Sequence, residues 1–171
     1  MTIHKGRGVL TLSGSHDIAQ ICLNGHTITS RYNRSPELRA NFCNQCGEKT
    51  ITKCIQCQNH IRGYYSVPGV ISTRSYNVPS YCHACGSSYP WTEEKLLAAK
   101  ELAEILDDLT DEEQEELKKS LDDLVKDGPR TVVATTKFKS LLSKTGSEIS
   151  TGFKDILVGV VSESVKKSIW G

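Results

Sequence analysis

From residue 92 onward the apolar positions recur with helical spacing. Ala98, Leu102, Ile105 and Leu109 fall at i, i+4, i+7 and i+11, one face of a helix that Thr92 would cap and that Glu93 and Glu94 would start. Thr110 and Glu113 have the spacing of a capping box ahead of Leu117, Leu121 and Leu124, and Asp127-Gly128-Pro129 stops that second helix. Residues 131–145 place Ala134, Phe138, Leu141 and Leu142 on one face and end at Gly146. Ser147 would then cap a last helix, with Ile149, Phe153, Ile156, Leu157, Val160, Val161, Val165 and Ile169 in one stripe. The pattern predicts about four helices with short links. Before residue 92 it is different: short β-prone stretches, Thr27-Ile28-Thr29 and Ile61 to Tyr65, are separated by polar loops carrying Pro36, Pro68 and Pro79. The fold class expected is α+β, a small β pair followed by a helical tail.

Composition sharpens the division. Of 171 residues, 37% are hydrophobic and 24% charged, which excludes a collagenous, low-complexity or wholly disordered chain. Aromatics are only 6%, and all seven Cys precede residue 86, so the first half calls for something other than a large apolar core to hold it. The net charge of +1 hides three blocks, +6 over residues 1–91, −9 over 92–127 and +4 over 128–171. The expected organisation is an N-terminal extension (1–16), a cysteine-rich unit (17–91) and a helical domain (92–171), the last made of an acidic hairpin (92–127) and C-terminal helices (131–170). The hairpin could dock on the basic first half. No window has the apolar length of a secretory signal or a membrane span, so a cytoplasmic protein is expected. In that reducing compartment CxxC pairs point to metal rather than to disulfides.

The cysteines stand as Cys43-Asn-Gln-Cys46-Gly, Cys54-Ile-Gln-Cys57 and Cys82-His-Ala-Cys85-Gly, with Cys22-Leu-Asn-Gly-His26 ahead of them. A CxxC turn aims two thiolates at one tetrahedral ion, and a following Gly permits the positive φ that turns backbone amides toward the sulfurs. Two such knuckles make one closed site. The segments Cys22 to Cys46 and Cys54 to Cys85 read as two divergent copies of a zinc ribbon, assigning Cys22, His26, Cys43 and Cys46 to a first Zn²⁺ and Cys54, Cys57, Cys82 and Cys85 to a second. The competing arrangement is a cross-brace that pairs Cys22/His26 with Cys54/Cys57. His26 is the fourth donor that the first site otherwise lacks. His60 and His83 are fallback donors beside ligands, and His4 and His16 are expected to be structural or solvent-facing.

The stretches Ala19-Gln-Ile-Cys-Leu-Asn-Gly-His26, Phe42-Cys-Asn-Gln-Cys-Gly47, Ile61-Arg-Gly63, Tyr81-Cys-His-Ala-Cys-Gly86, Tyr89-Pro-Trp91 and Ser168-Ile-Trp-Gly171 resemble a family of small bacterial proteins with a double zinc ribbon and a helical C-terminal tail, known as a domain of unknown function. The resemblance covers most of the chain after about residue 16. It implies zinc and a bacterial cytoplasmic protein, and it carries no activity over. The Gly-rich first fifteen residues are less typical of it.

Three thiolates with an imidazole, or four thiolates, close a zinc tetrahedron and leave no position for water or substrate. No GxSxG, HExxH, P-loop or deaminase motif accompanies them, so a non-enzymatic protein is expected. Two binding roles follow. One is a scaffold for a protein partner, or for self-association through the last helix, whose eight-position stripe otherwise reads as core. The other is nucleic-acid binding by the first half through Arg31, Arg34, Arg39, Lys49, Lys53, Arg62 and Arg74, with Tyr32, Tyr64, Tyr65 and Tyr76 to stack on bases. Lys154, Lys166 and Lys167 suggest a membrane-surface helix, which Asp155 and Glu163 weaken.

Overall fold

The computed structural model describes residues 13–71 and 75–171. His4, Arg74 and all but the end of the N-terminal extension lie outside them. Among the described residues, five short strands come first: β1 (Ser15–Ile18), β2 (Gln20–Cys22), β3 (Thr27–Thr29), β4 (Thr50–Ile51) and β5 (Arg62–Ser66). Five helices follow: α1 (Pro90–Glu104), α2 (Asp111–Lys126), α3 (Thr131–Leu142), α4 (Ser147–Leu157) and α5 (Glu163–Trp170). The α+β arrangement is as expected, with one helix more. Among the described residues no helix is long and apolar enough to cross a membrane.

The strands form two antiparallel sheets, β1-β5 and β3-β2-β4. Residues 15–22 run through both. Their first half pairs with β5 (His16 opposite Tyr65), and their second half pairs with β3 on one edge and with β4 on the other (Ile21 opposite Ile51). Between the halves the Ala19 amide donates to the Ile61 carbonyl (2.9 Å). Because β4 and β5 flank Cys54 and Cys57 while β3 follows His26, one stretch of chain ties the two cysteine-rich segments together. Ala19, Ile21 and Ile61 are fully buried there with Cys54, Cys82, Tyr89 and Trp91 in a small apolar cluster.

Two buried polar side chains fix the long loop between β3 and the second knuckle. Gln20 donates to the Ala40 carbonyl (2.7 Å) and accepts from the Ala40 amide (3.2 Å), while Asp17 accepts from the amides of Ile18 and Asn33 and faces Arg34 at 3.8 Å. Buried polar groups are stable when their hydrogen bonds are made; Gln20 meets this, Asp17 does so through Oδ1 while its Oδ2 has only the Arg34 charge nearby, and together they hold residues 33–40 in place.

In the helical half, α2 has the capping box of Thr110 and Glu113 and buries Leu117, Leu121 and Leu124 as the spacing predicts. Its left-handed terminal residue is Asp127 (φ 48°), not Gly128. Helix α3 buries Ala134, Phe138, Leu141 and Leu142. Two further expectations need correction. Helix α1 begins at Pro90 rather than after a Thr92 cap, and it buries Trp91, Thr92, Ala99 and Ala103, with Leu106 just beyond its end; Ala98 and Ile105 are exposed. Trp91 is locked into the cysteine-rich half, which turns the helix by about one position. The run Leu96-Leu97-Ala98-Ala99 offers an apolar surface on either side, so the periodicity alone does not decide the face.

The second correction concerns the last helix, which is two. Residues 158–162 break it at Val158-Gly159-Val160-Val161, a glycine among β-branched residues, and Ser162 caps α5 by accepting from the Val165 amide. The eight-position stripe faces the core. Phe153, Leu157, Val160, Val161 and Val165 are buried, and Ile149, Ile156 and Ile169 pack half-buried against them. Phe138 stands edge-on to both Phe153 (5.4 Å) and Trp170 (6.4 Å). The acidic block is met within this half: Asp122 pairs with Lys100 (2.8 Å), Asp123 with Arg130 (2.9 Å), Glu116 with Lys137 (2.5 Å) and Glu113 with Lys144. Among the described residues, the ion pairs of the hairpin are made within itself and with residues 130–144, and none with the basic half.

The halves meet at the start of α1. Trp91 stacks on Tyr89 (4.6 Å), its Nε1 donates to the Pro79 carbonyl (2.9 Å), and the Thr92 hydroxyl donates to the Ser80 carbonyl (2.9 Å). Gly25 lies against it with φ +88°, and a Cβ there would fall 2.9 Å from the Trp91 Cβ. Trp91→Ala is expected to cost about 3–5 kcal/mol. Chemical denaturation followed by helical circular dichroism should then show the single transition of the wild type moved to lower denaturant or split in two.

Candidate metal centres

Each CxxC turn is built the same way. The amide of the residue four beyond the first Cys donates back to that Cys carbonyl: Gly47 to Cys43 (2.8 Å), Gln58 to Cys54 (2.9 Å) and Gly86 to Cys82 (2.9 Å). The first Cys amide in turn donates to the carbonyl of Glu48, Asn59 or Ser87, each at 2.8 Å. A single cross-strand bridge closes each knuckle, Phe42 with Lys49, Lys53 with His60 and Tyr81 with Ser88. The turn requires a left-handed residue at its fourth step. Gly47 (φ +73°) and Gly86 (φ +75°) supply it without strain, whereas Gln58 is forced to φ 60°. In the Cys22 knuckle the two donors are one residue further apart while the backbone loop is one residue tighter: the Cys22 amide donates to the His26 carbonyl (3.0 Å), the Gly25 amide returns to the Cys22 carbonyl (2.9 Å), and Gly25 makes the left-handed step.

These knuckles converge in two quartets. Cys22, His26, Cys43 and Cys46 form one, and Cys54, Cys57, Cys82 and Cys85 the other, with the donor atoms of each within 4.8 Å of one another. Each quartet could hold a metal ion. Pairing is between successive knuckles, and the cross-brace alternative does not occur. In the first quartet His26 turns Nδ1 inward, 3.5 Å from Cys22 Sγ, 3.6 Å from Cys43 Sγ and 3.3 Å from Cys46 Sγ, and Cys22 lies 3.8 Å from Cys46. In the second, Cys54 and Cys85 are 3.8 Å apart and Cys57 and Cys82 3.6 Å. A tetrahedral ion with metal–sulfur bonds of about 2.3 Å and metal–nitrogen bonds of about 2.0 Å spaces its ligands about 3.8 Å (S to S) and about 3.5 Å (S to N) apart. The observed separations are those edges, and they are far beyond the bonded S–S distance of a disulfide.

The sulfurs also receive amide donors: His26 N to Cys22 (3.2 Å), Gln45 N to Cys43 (3.4 Å), Ala84 N to Cys82 (3.5 Å) and Asn59 Nδ2 to Cys57 (3.3 Å). Such bonds favour thiolate and orient it. The two quartets share one electrostatic pattern. Burial pushes the first thiol of each, Cys22 and Cys54, up to about 11, with neighbouring thiols adding to the shift against the knuckle amides. In Cys43 and Cys82 burial acts in the same direction but is outweighed by knuckle amides and by neighbouring donor side chains, which bring each down to about 6. The repeat of the pattern supports two copies of one unit. Cys22, Cys43, Cys54 and Cys82 are buried, while Cys46 and Cys85 are exposed at the rim.

His60 and His83 stand exposed, outside both quartets. His16 has a structural place: Nδ1 donates to the Gly63 carbonyl (3.0 Å) and the ring lies 4.9 Å from Tyr65. Of the basic and aromatic residues of this half, Arg31 covers the Tyr64 ring (4.4 Å), Arg39 covers Tyr32 (4.0 Å) and donates twice to its carbonyl, and Arg34 turns toward Asp17. The residues that sequence reasoning did not single out are Gln20, Asp17 and Asn59, which position the knuckles and the loop leading to them. Nothing in their spacing marks them.

Two substitutions test the knuckle geometry. Gly86→Ala should lower stability by about 1 kcal/mol, whereas Gln58→Gly, which relieves a left-handed residue at the same step, should be neutral or stabilising. Chemical denaturation of the metal-loaded protein measures both.

Searches of curated proteins and of solved structures return no match. A family model matches residues 15–169, a span that takes in both quartets and nearly all of the helical half. The chain belongs to that family, described as an uncharacterized protein conserved in bacteria (DUF2321).

Proposed function

We propose that each quartet holds one structural Zn²⁺, bound by Cys22, His26, Cys43 and Cys46 in the first and by Cys54, Cys57, Cys82 and Cys85 in the second, and that the chain is a non-enzymatic interaction protein of the bacterial cytoplasm. The observation that carries this reading is the closure of both quartets: four protein donors at tetrahedral separations occupy every position of an ion that prefers thiolate and imidazole. A catalytic zinc would keep a position for water. The small apolar cluster of the first half adds a reason for the metal to be structural, since it is built around Cys54 and Cys82 themselves.

The interaction role rests on what is left open. The C-terminal stripe is used internally, so contacts fall to other surfaces. Phe42 (65% exposed) and Ile55 (54%) each sit beside a ligand Cys on a rigid knuckle. Nucleic acid is the second reading, and the exposed Arg31–Tyr64 and Arg39–Tyr32 stacks favour it as platforms that a base could extend. It ranks below protein binding because Arg34 is spent on Asp17, and because seven thiolates against two Zn²⁺ take three units from the +6 of this half.

Native mass spectrometry is expected to find two zinc ions per chain. Cys54→Ser should leave one, with the Cys22 quartet still filled. Chelation should unfold the cysteine-rich half, where zinc supplies on the order of 10 kcal/mol, while the helical circular dichroism of α2 to α5 persists. Nucleic-acid binding that falls steeply with salt and weakens on Arg31→Ala would reverse the ranking of the two readings.

A further inference from the structure

The break between α4 and α5 has a second consequence. It brings Gly159 under the side chain of Lys95 from α1, so closely that a Cβ at position 159 would overlap the ammonium group. Lys95 is half-buried and, among the described residues, makes no hydrogen bond or ion pair. Burial, and then the neighbouring charge of Lys166, lower its pKa. Both lysines line a cleft of about 490 Å³ between the cysteine-rich and helical halves. Its other charged groups are Lys126, Asp127 and Glu163, and Glu163 is paired with Lys166 at 2.6 Å. Val78, Val125 and Val158 give it an apolar wall.

A half-buried ammonium beside a second one, with no counter-ion of its own, costs folding free energy. The break between α4 and α5 seats Val160 and Val161 in the core, and the bare backbone at Gly159 leaves the Lys95 ammonium room beside it. A phosphate would supply the counter-ion that Lys95 lacks, with Lys166, already paired with Glu163, as a second cation beside it, and lysine binds phosphate as a point charge. The cleft has the volume of a small-molecule site and lies where such sites occur, between two packed units. We propose that it binds the phosphate group of a small phosphorylated molecule, with Lys95 and Lys166 on the phosphate and the valine wall against the organic part. Lys95, Gly159 and Lys166 lie outside both quartets, so the proposal goes beyond the zinc reading and does not depend on it.

Titration calorimetry on the full-length, metal-loaded protein at constant ionic strength tests this, with inorganic phosphate, glycerol 3-phosphate and acetate as probes. The expected result is one saturable site per chain, tighter for glycerol 3-phosphate than for inorganic phosphate and absent for acetate. Lys95→Met should weaken it at least tenfold, and its melting temperature without ligand should equal or exceed that of the wild type, an outcome that a merely structural lysine would not give. Gly159→Ala should weaken binding too, by displacing the ammonium. Nuclear magnetic resonance of the Lys95 side chain in the wild type, perturbed by phosphate, keeps the test open if either variant fails to fold. Absence of saturable binding, binding indifferent to Lys95→Met, or inorganic phosphate binding as tightly as the ester would overturn the proposal.

Discussion

Residues 15–22 must satisfy their backbone hydrogen bonds with strands that belong to both cysteine-rich segments, and most of the architecture follows from that requirement. A free zinc-ribbon-like unit would pair its knuckle strands only with each other. Here β1 is paired with β5, and β2 lies between β3 and β4, so the surroundings of the two quartets share one stretch of chain. Buried amides and carbonyls that lose a partner are costly, which holds the two quartets side by side even though each has its own four donors. The small cluster of Ala19, Ile21 and Ile61 sits where the strands cross and would be exposed if they parted.

The same logic extends into the helices through two aromatic residues. Tyr89 and Trp91 are fully buried in the cluster of the cysteine-rich half although Trp91 already belongs to α1. Gly25, in the Cys22–His26 knuckle, lets the tryptophan approach. The first turn of α1 is thus held by the knuckles, and the rotation of the helix, the side it presents to α2 and α4, and the cleft that contains Lys95 all descend from that anchor. Charge follows a separate rule. The acidic helix α2 meets lysines and an arginine from α1 and from residues 130–137, so part of its charge is offset locally while the helical half as a whole keeps a net −5. Exposed pairs of this kind each add little stability, and their main effect is to set which helices lie side by side.

Local features were legible in the sequence because their geometry is set within a few residues. A CxxC followed by a left-handed step makes a knuckle wherever it occurs, and Thr110 with Glu113 makes a capping box by itself. The eight donor residues, the α+β division and the inward faces of α2 and α3 belong to this class. What remained open or was misread depends on contacts across long separations. The choice between successive and crossed knuckles spans more than twenty residues and is made by Gln20 on Ala40 and by β2 on β4, neither of which has a sequence signature. The face of α1 was ambiguous because leucine and alanine occur on both sides, and Trp91 decided it from outside the helix. The continuous stripe after Ser147 concealed a break, since Val160 and Val161 keep the spacing of a helix while their backbone turns a corner. The sequence alone therefore determined the donor residues, the knuckles and the capping box of α2, which short-range backbone geometry dictates; the tertiary structure decided the pairing, the helix rotation and the cleft, because burial and hydrogen-bond satisfaction are settled only when distant segments meet.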